Sequence, residues 1–221
     1  MKRLVAVDSL FFSWSQSFLF LSGLVLVAVL PGSLPIRAAA TTPSMAAFFP
    51  YFTSVLLCIY ATNFGQVHGD PQRLWRLQYS KRLGPYLISL VLRVSLLLAL
   101  TLPLWVVFFE LFHLRWTAWL SLVYLWLQAQ VWGGFGLWLS LTPYADITQF
   151  KIKYVLLIAY FGLTLFTPPF NPFFTLQVLL DPNSEIGASA VHLLLGLTGA
   201  LGCMALTGFA AVRQWRKVDA L

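Results

Sequence analysis

The side chains able to ligate a metal, relay a proton or attack a carbonyl are scarce in this chain: three histidines, two cysteines and seven acidic residues. His113 and His192 fall near the ends of apolar runs, and His68 lies in a polar stretch. Haem ligation by two imidazoles requires them to face each other at one depth. His113 and His192 could hold a haem or a quinone, or be ordinary histidines at a helix end. Glu110 and His113 are three apart and so share a helix face, where they could titrate or bind a polar ligand, or form a hydrated helix end. Ser189 and His192 have the same spacing, but nucleophilic catalysis also needs an orienting acid and an oxyanion hole. Cys58 and Cys203 lie inside apolar runs and read as small buried hydrophobes, without zinc spacing or a disulfide framework. No glycine-rich phosphate loop ending in Gly-Lys-Ser/Thr occurs, so ATP chemistry must come from another chain. The expectation is a chain without a catalytic site, metal or cofactor of its own.

Two charged features remain. The first is GDPQRLWRLQYSKRLGP, residues 69–85. Asp70 suits a helix N-cap and Pro71 the first helical position, while Gly84-Pro85 closes the segment. Leu74 and Leu77 share a face with Trp75 and Tyr79 beside them, and Arg73 and Arg76 are three apart. This spacing predicts a short amphipathic helix along a membrane surface. It would serve either as an anchor to headgroups or as a docking helix with Trp75 and the arginines at the interface. The second is Arg93, inside an apolar run. It would snorkel to the nearer surface, two turns from Pro85, or mark a pathway or an ion pair with Asp146.

These residues need a scaffold, and composition identifies it. Of 221 residues, 59% are hydrophobic and only 10% charged. Soluble domains carry about 25% charged residues, so this chain cannot coat a water-facing surface. With a mean hydropathy of +0.80, the chain reads as an all-α polytopic membrane protein. A span needs about 20 apolar residues, which leaves no room for a soluble catalytic domain. The net charge of +7 could suggest nucleic acid, but basic residues of membrane proteins gather in cytoplasmic loops. No nucleic-acid partner is expected; the lipid bilayer is.

Six apolar stretches form a single transmembrane domain: residues 10–30, 45–66, 87–109, 116–141, 152–167 and 188–212. Proline and glycine separate them, and the short turn at His113–Arg115 makes the third and fourth an antiparallel hairpin. Placing the N-terminus inside puts 11 of the 14 basic residues inside, leaves Arg37 and Arg115 outside, and has Arg93 within a span. Both termini are then cytoplasmic. Lys2-Arg3, the apolar run and Ala38–Ala40 resemble a cleavable signal, but the run is long for one and reads as helix one, after an interfacial stretch at residues 4–9. The fifth stretch, at about 1.5 Å per residue, reaches roughly 24 Å against a hydrocarbon core of about 30 Å. Lys151 and Lys153 would snorkel to the inner headgroups to compensate. Residues 170–180, FNPFFTLQVLL, are too apolar for a free loop and read as an interfacial or re-entrant element in the outer leaflet. Trp132-Gly133-Gly134-Phe135-Gly136 would allow close helix packing. No internal repeat supports an inverted-repeat transporter.

The order of these features resembles the permease subunits of ABC exporters of the second class, a six-helix family. The likeness rests on the interfacial N-terminal stretch, the basic inner loop with its short helix, and the hairpin of helices three and four. It continues through GLWLSLTPYADITQF into helix five, the segment PPFNPFFTLQVLLDPN before helix six, and the basic tail RQWRK. The resemblance implies a membrane-spanning subunit that forms the substrate pathway as a homo- or heterodimer with a second permease subunit. It implies that cytoplasmic ATPase subunits bind the ATP and magnesium, and that Arg73, Leu74, Trp75, Arg76, Leu77 and Tyr79 form the coupling helix docked on them. It further implies an outer gate at Phe170, Pro172, Phe173 and Phe174, and a place in the bacterial inner membrane. The alternative is a non-catalytic accessory subunit of a respiratory or photosynthetic complex, which nine tryptophans and nineteen phenylalanines would also suit.

Overall fold

The computed structural model describes residues 43–65, 84–111, 114, 116–142, 144–163, 171–180 and 186–219. Helix one, the interfacial stretch before it and the basic inner loop through residue 83 lie outside the described residues. Those that are described form helices and connecting turns, with no strand among them. In chain order the α-helices are α1 (Pro43–Gly65), α2 (Gly84–Leu111), α3 (Leu120–Ser140, preceded by a 3-10 turn at Trp116–Trp119), α4 (Asp146–Leu163), α5 (Pro172–Leu180) and α6 (Ile186–Asp219).

Helix α3 is the centre of the bundle and contacts every other helix. Its position explains its composition. A helix covered by protein need not be apolar all round, and α3 carries Gln128, Gln130 and three glycines. The outer helices lack that cover. Among the described residues two stretches are long and apolar enough to cross a membrane, Leu90–Glu110 with mean hydropathy 2.2 and Leu194–Arg216 with 1.7. Their outward residues are large and apolar: Ile88, Leu92, Val106 and Val107 on α2, and Leu194, Leu201, Leu206 and Phe209 on α6. On α2 the inward face is also apolar, with Leu90, Val94, Leu97, Leu98, Trp105 and Phe108 following helical spacing. A helix apolar on both faces suits lipid on one side and protein on the other. The polar side chains are distributed oppositely, since Thr53, Ser54, Gln128, Gln130, Gln149 and Thr175 are all buried. An apolar exterior around a polar seam is the arrangement a bilayer selects.

Two glycines set the closest helix approach. A Cβ on Gly136 would fall on the backbone carbonyl of Thr62, and one on Gly65 on the carbonyl of Gly133. Helices α1 and α3 therefore cross backbone to backbone, as the glycine cluster in α3 led us to expect. Between α2 and α3, Trp126 Nε1 donates to Ser95 Oγ at 2.8 Å. At the far end of this hairpin, Trp105 is fully buried among Phe49, Phe108 and Phe109, with ring centroids 5.0–5.9 Å apart.

Several expectations are corrected. Gly84 and Pro85 belong to α2 instead of preceding it, because proline in a first helical turn costs no hydrogen bond. Helix α4 starts at Asp146, six residues before the expected Ile152, and its 18 residues reach roughly 27 Å at about 1.5 Å each. The extra turns come from a polar start, where Gln149 Nε2 donates to the Tyr144 carbonyl at 2.9 Å and lies buried. Hydropathy overlooks such a start. Helix α6 runs through to Asp219, so the basic tail is helical. There Trp215 packs with Leu137, Leu141 and Ala211, while Arg213 and Arg216 point outward.

Candidate functional site

The candidate site is the polar seam between α1, α3, α4 and α5. Ser54 Oγ on α1 donates to Gln128 Oε1 on α3 at 3.0 Å, and Gln128 Nε2 donates to Tyr160 Oη on α4 at 3.1 Å. The Gln128 amide thus bridges two helices through its acceptor and its donor. Tyr124, one turn earlier on α3, is buried at the same level, and so is Thr175 of α5, whose Oγ1 has no hydrogen-bond partner among the described residues. Gly196 of α6 closes over the seam, since a Cβ there would sit 3.1 Å from both Tyr124 and Thr175. All these groups are neutral amides and hydroxyls. They can orient helices or a polar uncharged ligand, but they supply no nucleophile activated by a base.

In a bilayer such interhelical bonds average about 0.6 kcal/mol and reach about 1.7 kcal/mol. We predict that Gln128→Leu destabilises the solubilised protein by about 1 kcal/mol, at the upper part of that range, because two bonds are lost together. A double-mutant cycle with Ser54→Ala, read by thermal unfolding in mild detergent, should return a coupling energy of several tenths of a kcal/mol. Strict additivity would show the bond to be energetically idle.

A second polar contact joins the end of α1 to the first half of α4. Lys153 Nζ donates to Asn63 Oδ1 at 2.7 Å and lies 4.9 Å from the Tyr154 ring centroid and 5.5 Å from that of Phe150. Only 5% of Lys153 is exposed, whereas Lys151 is open. Of the two lysines expected to snorkel, Lys151 is exposed and Lys153 is folded into the bundle, where an amide and two aromatic faces replace water. Arg93, read either as snorkelling or as marking a pathway or ion pair, takes an inward position. It is 7% exposed, on the inward face of α2 in register with Leu90, Val94 and Leu97.

Of the gate residues, Pro172, Phe173 and Phe174 belong to α5, and Phe170 lies outside the described residues. Asn171 caps α5, with Oδ1 accepting from the Phe173 N–H at 2.9 Å and its carbonyl from the Thr175 N–H at 3.1 Å. Pro172 follows at the first helical position, where its fixed φ favours the helix. Phe173 stacks on Phe161 at 5.1 Å and meets Tyr51 at 4.8 Å. With Pro172, Thr175, Leu176, Leu179 and Leu180 buried, α5 is packed against α1, α3 and α6.

The coupling residues Arg73, Leu74, Trp75, Arg76, Leu77 and Tyr79, along with His68 and His113, lie outside the described residues, as does the side chain of His192. Glu110 is exposed at the end of α2. No group of three His, Cys, Asp or Glu able to hold a metal occurs among the described residues. Cys58 is buried as expected, but Cys203 is exposed on α6. Sequence reasoning missed the seam itself. Its signal was present in Gln128 and Gln130, amides in the middle of an apolar run, which demand partners in lipid. Compared with known protein families, curated proteins and solved structures, the chain matches none.

Proposed function

We propose that this chain is the membrane-spanning subunit of an ATP-driven exporter of the second ABC class, with six spans and both termini in the cytoplasm of a bacterial inner membrane. It pairs with a second permease subunit and is driven by separate cytoplasmic ATPase subunits that carry the ATP and magnesium. The observation that carries this reading is α5, a short capped helix packed against α1, α3 and α6 just before the last long helix. The family resemblance calls for a gate element at that place in the chain. The seam side chains fill the middle of the bundle, so a substrate pathway belongs between two permease subunits. The chain has no phosphate loop, so the driving energy enters through a partner.

The test is to purify the tagged full chain from its native membrane and identify what accompanies it. An ATPase is expected. Trp75→Ala or Arg76→Ala should weaken its association while membrane insertion is retained. Removing a tryptophan at an interface centre costs about 2 kcal/mol or more, roughly a 30-fold loss in affinity. Recovery of haem, pigment or redox subunits in place of an ATPase would replace this reading with that of an accessory subunit.

A further inference from the structure

An apolar groove runs along the seam of α3 and α6, walled in part by α4. Its larger section, about 480 Å³, is lined by Trp132, Phe135 and Tyr160 together with Cys203 and Leu206. A second section of about 260 Å³ shares Phe135 and Leu206 and continues to Trp138 and Ala210. Between Val131 and Trp138 the groove is roughly 10 Å long at about 1.5 Å per residue. Helical spacing carries the α6 stripe of Leu206 and Ala210 directly to Arg213, which is exposed, as is Arg216 three residues on. The stripe along the slot therefore runs on to one exposed arginine, with the second, Arg216, at the next position round the helix.

We propose that this groove is a binding site for one anionic phospholipid of the inner leaflet, with an acyl chain along Trp132, Phe135 and Trp138 and the phosphate at Arg213 and Arg216. The site rests on the membrane embedding and orientation of the proposed function, and not on the exporter assignment. The charge pattern selects lipid over a second copy of the chain. Two copies related by a two-fold axis along the membrane normal would bring their own arginines together across it, and like charges repel. A phosphodiester neutralises the pair and forms charge-assisted hydrogen bonds with guanidinium. Aromatic side chains wall the groove beside the small Ala210, and the lining is almost wholly apolar, which suits a hydrocarbon chain.

The experiment is native mass spectrometry of the full chain in neutral detergent, titrated with phosphatidylglycerol and with phosphatidylcholine of identical chains. The expected result is one phosphatidylglycerol retained at least about fivefold more tightly than phosphatidylcholine, following from roughly 1 kcal/mol per basic residue. Arg213→Gln with Arg216→Gln should abolish the preference and leave weak retention of both lipids. Ala210→Trp, which fills the groove, should abolish retention of both. An unchanged circular dichroism spectrum and elution volume would show that these variants fold. Equal retention of the two lipids by the unsubstituted chain, or unaltered phosphatidylglycerol binding after Ala210→Trp, overturns the proposal. Conversion of a dimer to a monomer by Ala210→Trp also overturns it and makes a second copy the occupant. Co-purification of an ATPase is measured separately, so failure here is distinguishable from failure of the exporter reading.

Discussion

Replacing Gly136 by alanine is expected to be among the most damaging single substitutions in this chain. The new methyl group would meet the backbone carbonyl of Thr62, with the Thr62 carbonyl carbon and Cα close behind. A side chain can rotate away from a clash, but two helix backbones must separate. Separation would strain the Ser54–Gln128 bond and the packing around Gly65 at the same crossing. Overpacking a tight site typically costs about 1–3 kcal/mol and occasionally more, and backbone on both sides places this case at or above the top of that range. Gly65→Ala should behave alike, because its methyl would meet the Gly133 carbonyl and the Leu137 nitrogen. The control lies in the same chain. Gly162, Gly199, Gly202 and Gly208 are helical with nothing within 4 Å of an added Cβ. Alanine there should leave stability unchanged or raise it by up to about 1 kcal/mol through helix propensity. Thermal unfolding of the six variants in one detergent checks the contrast, and a flat series would show that α1 and α3 do not cross at these glycines.

Trp105→Ala is expected to cost about 3–5 kcal/mol, the usual range for emptying a fully buried large aromatic site. Trp105 is 0% exposed and touches Phe49, Phe108 and Phe109, which hold α1 against the hairpin. Its loss would leave a void that three rings cannot fill, since each is fixed by further contacts, such as Phe109 on Trp119 at 4.9 Å. Trp105→Phe separates packing from polarity. The indole Nε1 is buried without a hydrogen-bond acceptor. Phenylalanine removes that unsatisfied donor while keeping most of the ring area, so the loss should be well under half that of alanine. Equal losses for the two variants would show that ring packing is not what this site contributes.

Both effects concern stability, and both bear on function through geometry. If α1 and α3 part, the seam of Ser54, Gln128 and Tyr160 opens, and α5 loses the surfaces that Phe173 and Thr175 rest on. If α5 is the gating element of the proposed exporter, it must be held by a rigid frame for a distant energy source to move it. On that proposed reading, variants at Gly136 should impair transport wherever they lower stability, whereas Trp75 and Arg76 variants should impair coupling alone.

Much of the architecture was legible from residue order. Composition pointed to lipid, because 10% charged residues are few for the surface of a 221-residue chain, and two of the described helices are long and apolar enough to cross a membrane. Pro143 marked the connection after α3, the apolar run after Pro169 proved to be a packed helix, and the glycines of α3 marked a close crossing. These are local properties: hydropathy and backbone preference belong to a residue and its few neighbours. Orientation within the bundle was not legible. Lys153 turned inward where snorkelling was expected, Arg93 took the inward of its two readings, Cys203 faced outward where burial was expected, and Gln128 emerged as a bridge between two helices. The reason is physical. In water, the contrast between an apolar core and a polar solvent imprints a helix with a periodic pattern, and the sequence reveals its inner face. In lipid, both surroundings are apolar, as both faces of α2 are, and the periodic contrast largely vanishes. Sequence by itself therefore located the apolar runs around which the described helices form, two of them long and apolar enough to cross a membrane. Only tertiary packing decided which face of each helix meets protein, which glycines touch backbone, and which polar side chains find one another.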